Sequence, residues 1–286
     1  MPNVIIIGNG PAGISAGLYT KRANIDTLII GKDAGALKKA DKIENYYGFA
    51  EPVGGQDLIQ QGIKQAKRLG CEVINDEVVS LGFEEKLVVK TKEETYQADA
   101  IILATGTARN TPKIKGISEF EGSGVSYCAV CDAFFYRGKD VAVLGSGEYA
   151  IHEAMELLPV VKSVTLLTNG VPLTVDVPKE IILNENKITE LKGNGVLSEV
   201  EFENGSALPI SGLFVAVGVA SSSDLARKIG AQIEGVNIVV DKNMATNVPG
   251  LYAAGDCVGG LLQIAKAVHD GAEAGVSAIK YVRALK

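Results

Sequence analysis

Positive charge is in short supply in these 286 residues: 28 lysines and arginines stand against 34 aspartates and glutamates, a formal net charge of -6. A nucleic-acid partner needs a basic stripe, so that class of function is excluded. Long apolar runs are also missing. None reaches the roughly 18 residues that cross a bilayer, and no membrane role is expected. The first apolar run begins almost at the first residue with no basic leader ahead of it, so no signal peptide is expected and the cytoplasm is the expected location. Cysteine occurs four times and histidine twice. Four thiols do not make a disulfide scaffold, and in such a chain a close pair is catalytic or metal-binding. Low-complexity segments are absent. With 47% apolar and 22% charged residues, the chain can bury one large core or two of ordinary size.

What is present is a strand–turn–helix pattern that starts twice. Asn3–Ile7 is an apolar run ending in Gly8-Asn-Gly10-Pro11-Ala12-Gly13, and helical periodicity follows through Ile14 and Leu18 to a second run, Thr27–Ile30. Gly8, Gly10 and Gly13 fit the dinucleotide fingerprint: a tight turn, a close backbone approach to a pyrophosphate, and close helix–strand packing. The pyrophosphate belongs at the helix N-terminus, where free N–H groups favour an anion. The acid expected at the end of the second strand is displaced: the strand ends Ile30-Gly31-Lys32-Asp33, which puts Asp33 late for a ribose contact. Ala100–Leu103 reads as a further buried strand ending at Ala104-Thr105-Gly106-Thr107. The pattern restarts at Asp140–Leu144, Gly145-Ser-Gly147-Glu-Tyr-Ala150, a helix over Ile151–Leu158 and a strand at Val164–Leu167. Later strands are Leu213–Val217 and Leu251–Ala254, and a long helix covers Leu262–Lys286. The expected fold is α/β, with two Rossmann-like nucleotide-binding domains. Crossings near Thr111–Gly116 and Asn243–Gly250 make the first domain discontinuous: 1–112 with 244–286, interrupted by 113–243.

Cys128-Ala-Val-Cys131 followed by Asp132 is the chemical centre of the sequence. Zinc needs two more ligands, and the remaining Cys71, Cys257, His152 and His269 are scattered, so no metal is expected. As a redox pair, one thiolate attacks a partner disulfide and the other resolves the mixed disulfide. Asp132 is placed to move the proton, or else to cap a helix. Cys71 reads as a core thiol and Cys257 as a buried one without assigned chemistry.

Taken in order, Gly8–Gly13, Glu44-Asn45, Ala104-Thr105-Gly106, Ser126-Tyr-Cys-Ala-Val-Cys-Asp132 and Leu251-Tyr-Ala-Ala-Gly255-Asp256 with Gln263 after it resemble the low-molecular-weight thioredoxin reductase family over nearly the whole chain. The resemblance implies three-layer ββα domains, FAD in the first, Asp256 bonding the ribityl chain, and Asn45 and Gln263 near the flavin. It implies that Cys131 faces the flavin, that Cys128 attacks thioredoxin, that Asp132 is the acid/base, and that the protein is a homodimer.

The chain departs from that family at the nicotinamide site. Gly145, Gly147 and Ala150 keep the turn, but the arginine-rich segment after the next strand is missing: Thr165-Leu-Leu-Thr168-Asn169-Gly170 runs on as Val-Pro-Leu-Thr174, and no arginine stands between Arg137 and Arg227. The 2′-phosphate of NADP needs such a cation; Lys162 or Lys179 is the available substitute. In this the chain resembles the ferredoxin-dependent flavin thioredoxin reductases, and Lys38, Lys39 and Lys42, just before Asn45, form a candidate docking edge for an acidic iron–sulfur protein. The expectation is an FAD-dependent thioredoxin reductase driven by reduced ferredoxin. The rivals are an NADPH enzyme with an unusual site and a flavoprotein sensor without turnover. A ferredoxin–NADP oxidoreductase of this fold lacks the cysteine pair.

Overall fold

Val4–Ile7 (β1) is four β-branched residues in a row, all buried, as suits a central parallel strand covered on both faces. A computed structural model describes residues 2–32, 35–106 and 112–285 and shows what surrounds it. Asp33, Thr107 and Thr111 lie outside the described residues, as does the side chain of Lys39.

Five parallel strands form the first sheet: Glu72–Asn75 (β3), Thr27–Gly31 (β2), β1, Ala100–Leu103 (β7) and Leu251–Ala253 (β18), in that spatial order. The helices Pro11–Arg22 (α1), Gly55–Arg68 (α2) and Ile264–Ala284 (α6) belong to the same unit. Their small and aliphatic faces, among them Ala12, Ala16, Ala274 and Ala278, share one core with Val4, Ile6, Ile29 and Ile102. Helices α1 and α6 come together almost backbone to backbone: a Cβ on Gly271 would stand 2.0 Å from the Ala12 carbonyl oxygen. A three-stranded antiparallel layer, Val78–Phe83 (β4), Leu87–Thr91 (β5) and Thr95–Ala98 (β6), completes the unit.

The second unit repeats the plan. Its parallel sheet runs Ile182–Asn184 (β11), Ser163–Leu167 (β10), Asp140–Leu144 (β9), Gly212–Val215 (β15), Val125–Ser126 (β8). The helix Glu148–Leu157 (α4) follows β9. An antiparallel layer is made of Ile188–Gly193 (β12), Leu197–Phe202 (β13) and Ala207–Pro209 (β14). Its own core joins Phe120, Leu144, Leu167, Leu191 and Leu213. The α/β class with two parallel-sheet nucleotide-binding units is as the sequence predicts.

The crossings differ from the sequence expectation. The compact units are Met1–Arg109 with Ser221–Lys286, and Asn110–Ala220. The chain therefore returns at Ser221, before 244. The reason is local chemistry: Ser221 and Asp224 form a capping box that starts Ser222–Lys228 (α5), and the Ser222 hydroxyl lies 2.6 Å from that of Thr105 and accepts the Thr105 N–H. These bonds tie the segment to the first unit.

Candidate functional site

In the first unit the sheet's carboxyl ends carry the glycine turn. Gly8 has φ +116°, and a Cβ there would stand 2.2 Å from the Ala104 carbonyl oxygen. A Cβ on Gly13 would stand 1.8 Å from the Gly8 oxygen. Only glycine fits at either position. Gly10, by contrast, has nothing within 4 Å of where its Cβ would be, and α1 begins there at Pro11 with no side-chain cap. An uncapped helix N-terminus facing open space is a cradle for a pyrophosphate. Ala104, Thr105 and Gly106 follow β7 beside this turn, and Gly255 and Asp256 follow β18, with the Gly255 Cβ position 3.0 Å from the Ala12 Cβ. Gly8, Gly10, Pro11, Ala12, Gly13, Ala104, Thr105, Gly106, Gly255 and Asp256 thus lie at the carboxyl ends of β1, β7 and β18, the crevice where open α/β sheets bind nucleotides. The Asn45 amide donates to Gln263 Oε1 at 2.9 Å, so these two residues lie together as well.

Two residues that sequence reasoning missed support the Asp256 turn. Lys266 Nζ donates to the carbonyl oxygens of Gly255 (2.8 Å) and Gly259 (2.6 Å) and pairs with Asp270 at 2.8 Å. Asp270, almost wholly buried, accepts the Gly255 N–H in turn. One turn of α6 therefore grips the donor and the acceptor of the same loop. Burial pushes the Asp256 carboxyl above its ordinary value, and the Lys266 ammonium partly offsets that. Cys257 beside it is fully buried, and desolvation pushes its thiol up to about 11, so it stays a neutral thiol. Cys71 is likewise buried in the core. The signal available in the sequence was a lysine and an aspartate four apart on α6, which by itself reads as an ordinary helical ion pair.

The second unit carries the dithiol. Strand β8 delivers Ser126 and Cys128, and Cys128 caps a single helical turn, Ala129–Asp132 (α3). Cys128 and Cys131 are joined as a disulfide, with Cα atoms 5.3 Å apart. The Cys131 N–H donates to Cys128 Sγ at 3.2 Å. The Ser126 hydroxyl accepts the Cys128 N–H at 3.1 Å and donates to Asp132 Oδ2 at 2.6 Å, which holds that carboxylate beside the pair. Glu153 of α4, almost fully buried, accepts the Ala129 N–H at 2.8 Å. Nothing in the sequence marks Glu153, because its partner lies 24 residues away. Cys128 is buried and Cys131 exposed. The rim is apolar: Val130, Phe134 and Phe135 are all exposed.

The second glycine turn is folded differently from the first. The segment after β10 turns back over it, and Thr174 donates its N–H to the Ser146 carbonyl oxygen at 3.1 Å. Its Oγ1 lies 3.6 Å from the Gly147 Cβ position. Glu148 occupies the first turn of α4, where a carboxylate repels an incoming anion. Lys162, one candidate substitute for the missing arginines, precedes β10 and pairs with Asp140 at the amino end of β9, 2.9 Å away. Parallel strands put that residue at the end of the sheet opposite the crevice. Lys179 is exposed ahead of β11. In the first unit, Lys38 and Lys42 are both exposed, ahead of the Ile43–Val53 bridge. No helix among the described residues is long and apolar enough to cross a membrane.

Residues 2–271 match the family model described as pyridine nucleotide-disulphide oxidoreductase. A thioredoxin reductase of Listeria innocua is 36% identical over 99% of this chain and 95% of its own. Among solved structures, the atypical thioredoxin reductase TRi from Desulfovibrio vulgaris Hildenborough superimposes with a TM-score of 0.93 at 41% identity, covering 99% of both chains. A ferredoxin-flavin thioredoxin reductase from Clostridium acetobutylicum reaches 0.73 at 29% identity, covering 99% of this chain and 98% of that one.

Proposed function

The chain belongs to the pyridine nucleotide-disulphide oxidoreductase family, and within it we propose that this protein is an FAD-dependent thioredoxin reductase whose electrons come from reduced ferredoxin rather than from NADPH. FAD is the family's cofactor, and the first unit fits it: the uncapped α1 terminus and open space at Gly10 take the pyrophosphate, Asp256 takes the ribityl chain, and Asn45 and Gln263 flank the flavin. Bound there, the flavin supplies the two electrons that return the Cys128–Cys131 disulfide to a dithiol.

The chain's own groups do the rest. In the reduced pair the Cys131 N–H favours the thiolate form of Cys128, and the thiolate is the nucleophile. Cys128 attacks one sulfur of the thioredoxin disulfide, and the first thioredoxin thiolate leaves. Cys131 then attacks Cys128 Sγ, the intramolecular disulfide reforms, and the second thiolate leaves. Asp132, oriented by Ser126, takes the Cys131 proton and passes it to a departing thiolate. The exposed Val130, Phe134 and Phe135 supply an apolar rim for the partner protein.

The donor assignment is carried by the second glycine turn. Thr174 folds onto Ser146, Glu148 stands at the helix N-terminus, and the candidate substitute Lys162 is at the wrong end of the sheet. NADPH would lose its phosphate partner and meet a carboxylate. Lys38, Lys39 and Lys42 remain as the cationic edge toward an acidic iron–sulfur protein. By likeness to that family, a homodimer is part of the same proposal. The test is anaerobic: reduced ferredoxin is expected to bleach the flavin band and allow thioredoxin reduction, while NADPH leaves the band unchanged. Rapid bleaching by NADPH overturns the donor assignment. Failure to reduce any thioredoxin disulfide overturns the activity.

A further inference from the structure

One buried acid at the dithiol takes no part in the exchange described above. Glu153 stands in the second turn of α4 and is 1% exposed. Its Oε2 accepts, at 2.8 Å, the N–H of Ala129, the first residue of α3 after Cys128. The N–H groups at a helix start have no partners within the helix, and one given to a sulfur favours the thiolate there. Here they are divided. The Cys131 N–H goes to Cys128 Sγ at 3.2 Å, and the Ala129 N–H goes to the carboxylate of Glu153. Two further titratable groups belong to the same segment: Asp132, bonded by Ser126 at 2.6 Å, and Tyr136, whose phenol is pushed up by burial and by the Asp132 charge. On α4 itself, His152 and Glu156 pair at 3.6 Å.

An amide would cap Ala129 as well as an acid does, because only an acceptor oxygen is needed. Burying an acid costs more than burying an amide. What the acid adds is negative charge one peptide away from Cys128. A like charge disfavours a second anion nearby. We infer that Glu153 lowers the reduction potential of the Cys128–Cys131 pair by opposing the Cys128 thiolate, and so keeps the pair a strong reductant. Reduction adds two electrons and breaks the S–S bond. One proton taken up makes the Cys131 thiol, and Cys128 keeps its charge as a thiolate. Whatever destabilises that thiolate favours the disulfide and drives both electrons outward to the partner's disulfide. The Cys131 N–H places the charge on Cys128, and Glu153 keeps it from becoming too stable to pass on. The inference rests on this pair exchanging with thioredoxin.

The test equilibrates the full-length, flavin-loaded protein anaerobically at neutral pH in dithiothreitol buffers of stepped redox ratio. Samples are quenched in acid, alkylated after unfolding, and their thiols counted by mass; Cys71 and Cys257, both free, add a constant background. Glu153→Gln keeps the acceptor and removes the charge. It should shift the equilibrium about three- to tenfold toward the dithiol, a rise of up to about 30 mV. Glu153→Met removes charge and acceptor together and should shift it the same way, so either variant suffices if the other folds poorly. Glu153→Asp keeps the charge and should stay within about twofold of the wild type. An unchanged potential in Glu153→Gln, a shift toward the disulfide, or a shift in Glu153→Asp as large as that in Glu153→Gln overturns the inference. Failure of the wild type to reduce thioredoxin would sink the activity instead, and the measured potentials would still decide the role of Glu153.

Discussion

Around Cys128 the chemistry is set by its hydrogen-bonding neighbours. Its sulfur accepts the Cys131 N–H, and the next peptide is capped by the buried Glu153. An N–H donor stabilises a thiolate more than a thiol, which supports the proposed role of Cys128 as the attacking thiol although Cys131 is the more exposed. Cys131→Ser is therefore expected to trap a covalent complex with thioredoxin on a non-reducing gel, and Cys128→Ser to trap none. The reverse pattern would exchange the two roles. Asp256 offers a pH-dependent prediction. Burial raises its carboxyl above the ordinary 3.8, so the apoprotein gains stability from its protonated form below about that pH and loses that stability as pH rises through the raised value. At neutral pH Asp256→Asn should raise the melting temperature of the apoprotein, and near pH 3 it should change little. The same variant should bind FAD more weakly. A lower apoprotein melting temperature at neutral pH would contradict the desolvation argument.

Among the elements, the contact between α1 and α6 is the most exacting. Gly271 lies against the Ala12 carbonyl oxygen and Gly275 against that of Ala16, at 2.0 and 2.9 Å from their would-be Cβ atoms. The same helix carries Lys266 and Asp270, so any shift of α6 moves the Gly255–Asp256 loop with it. Gly271→Ala must push backbone from backbone and is expected to cost about 1–3 kcal/mol of stability, measured by denaturant unfolding, together with loss of FAD. A variant that keeps both would show that the helices separate easily. Apolar runs bounded by glycine place β1, β2, β7, β9 and β10 within a residue of their observed ends, because buried parallel strands are continuous β-branched stretches. The antiparallel layers β4–β6 and β12–β14 were not located by that pattern. Their strands mix charged and apolar residues, as in Leu197-Ser-Glu-Val-Glu-Phe202, and match a solvated face as well as a paired one.

For the whole molecule, the discontinuous first unit makes a prediction that neither unit makes alone. FAD binding is assigned to residues on both sides of the inserted second unit, from Gly8 to Gly106 and from Gly255 to Gln263. Saturating FAD should therefore slow amide hydrogen exchange in 2–106 and 221–285 together, and leave 112–220 little changed. Protection confined to the N-terminal part would break the link between the two segments. The glycine turns, the cysteine pair with its aspartate, and the missing arginines were legible in the amino-acid sequence because each depends on residues a few positions apart, where spacing alone determines geometry. Lys266 under Gly255, Glu153 at Ala129, Glu77 beside Lys32, Thr174 on Ser146 and the return of the chain at Ser221 were decided only by the tertiary structure. Each joins groups from different strands or helices, and such pairs come into being only once strand register and helix packing bring distant segments to one place.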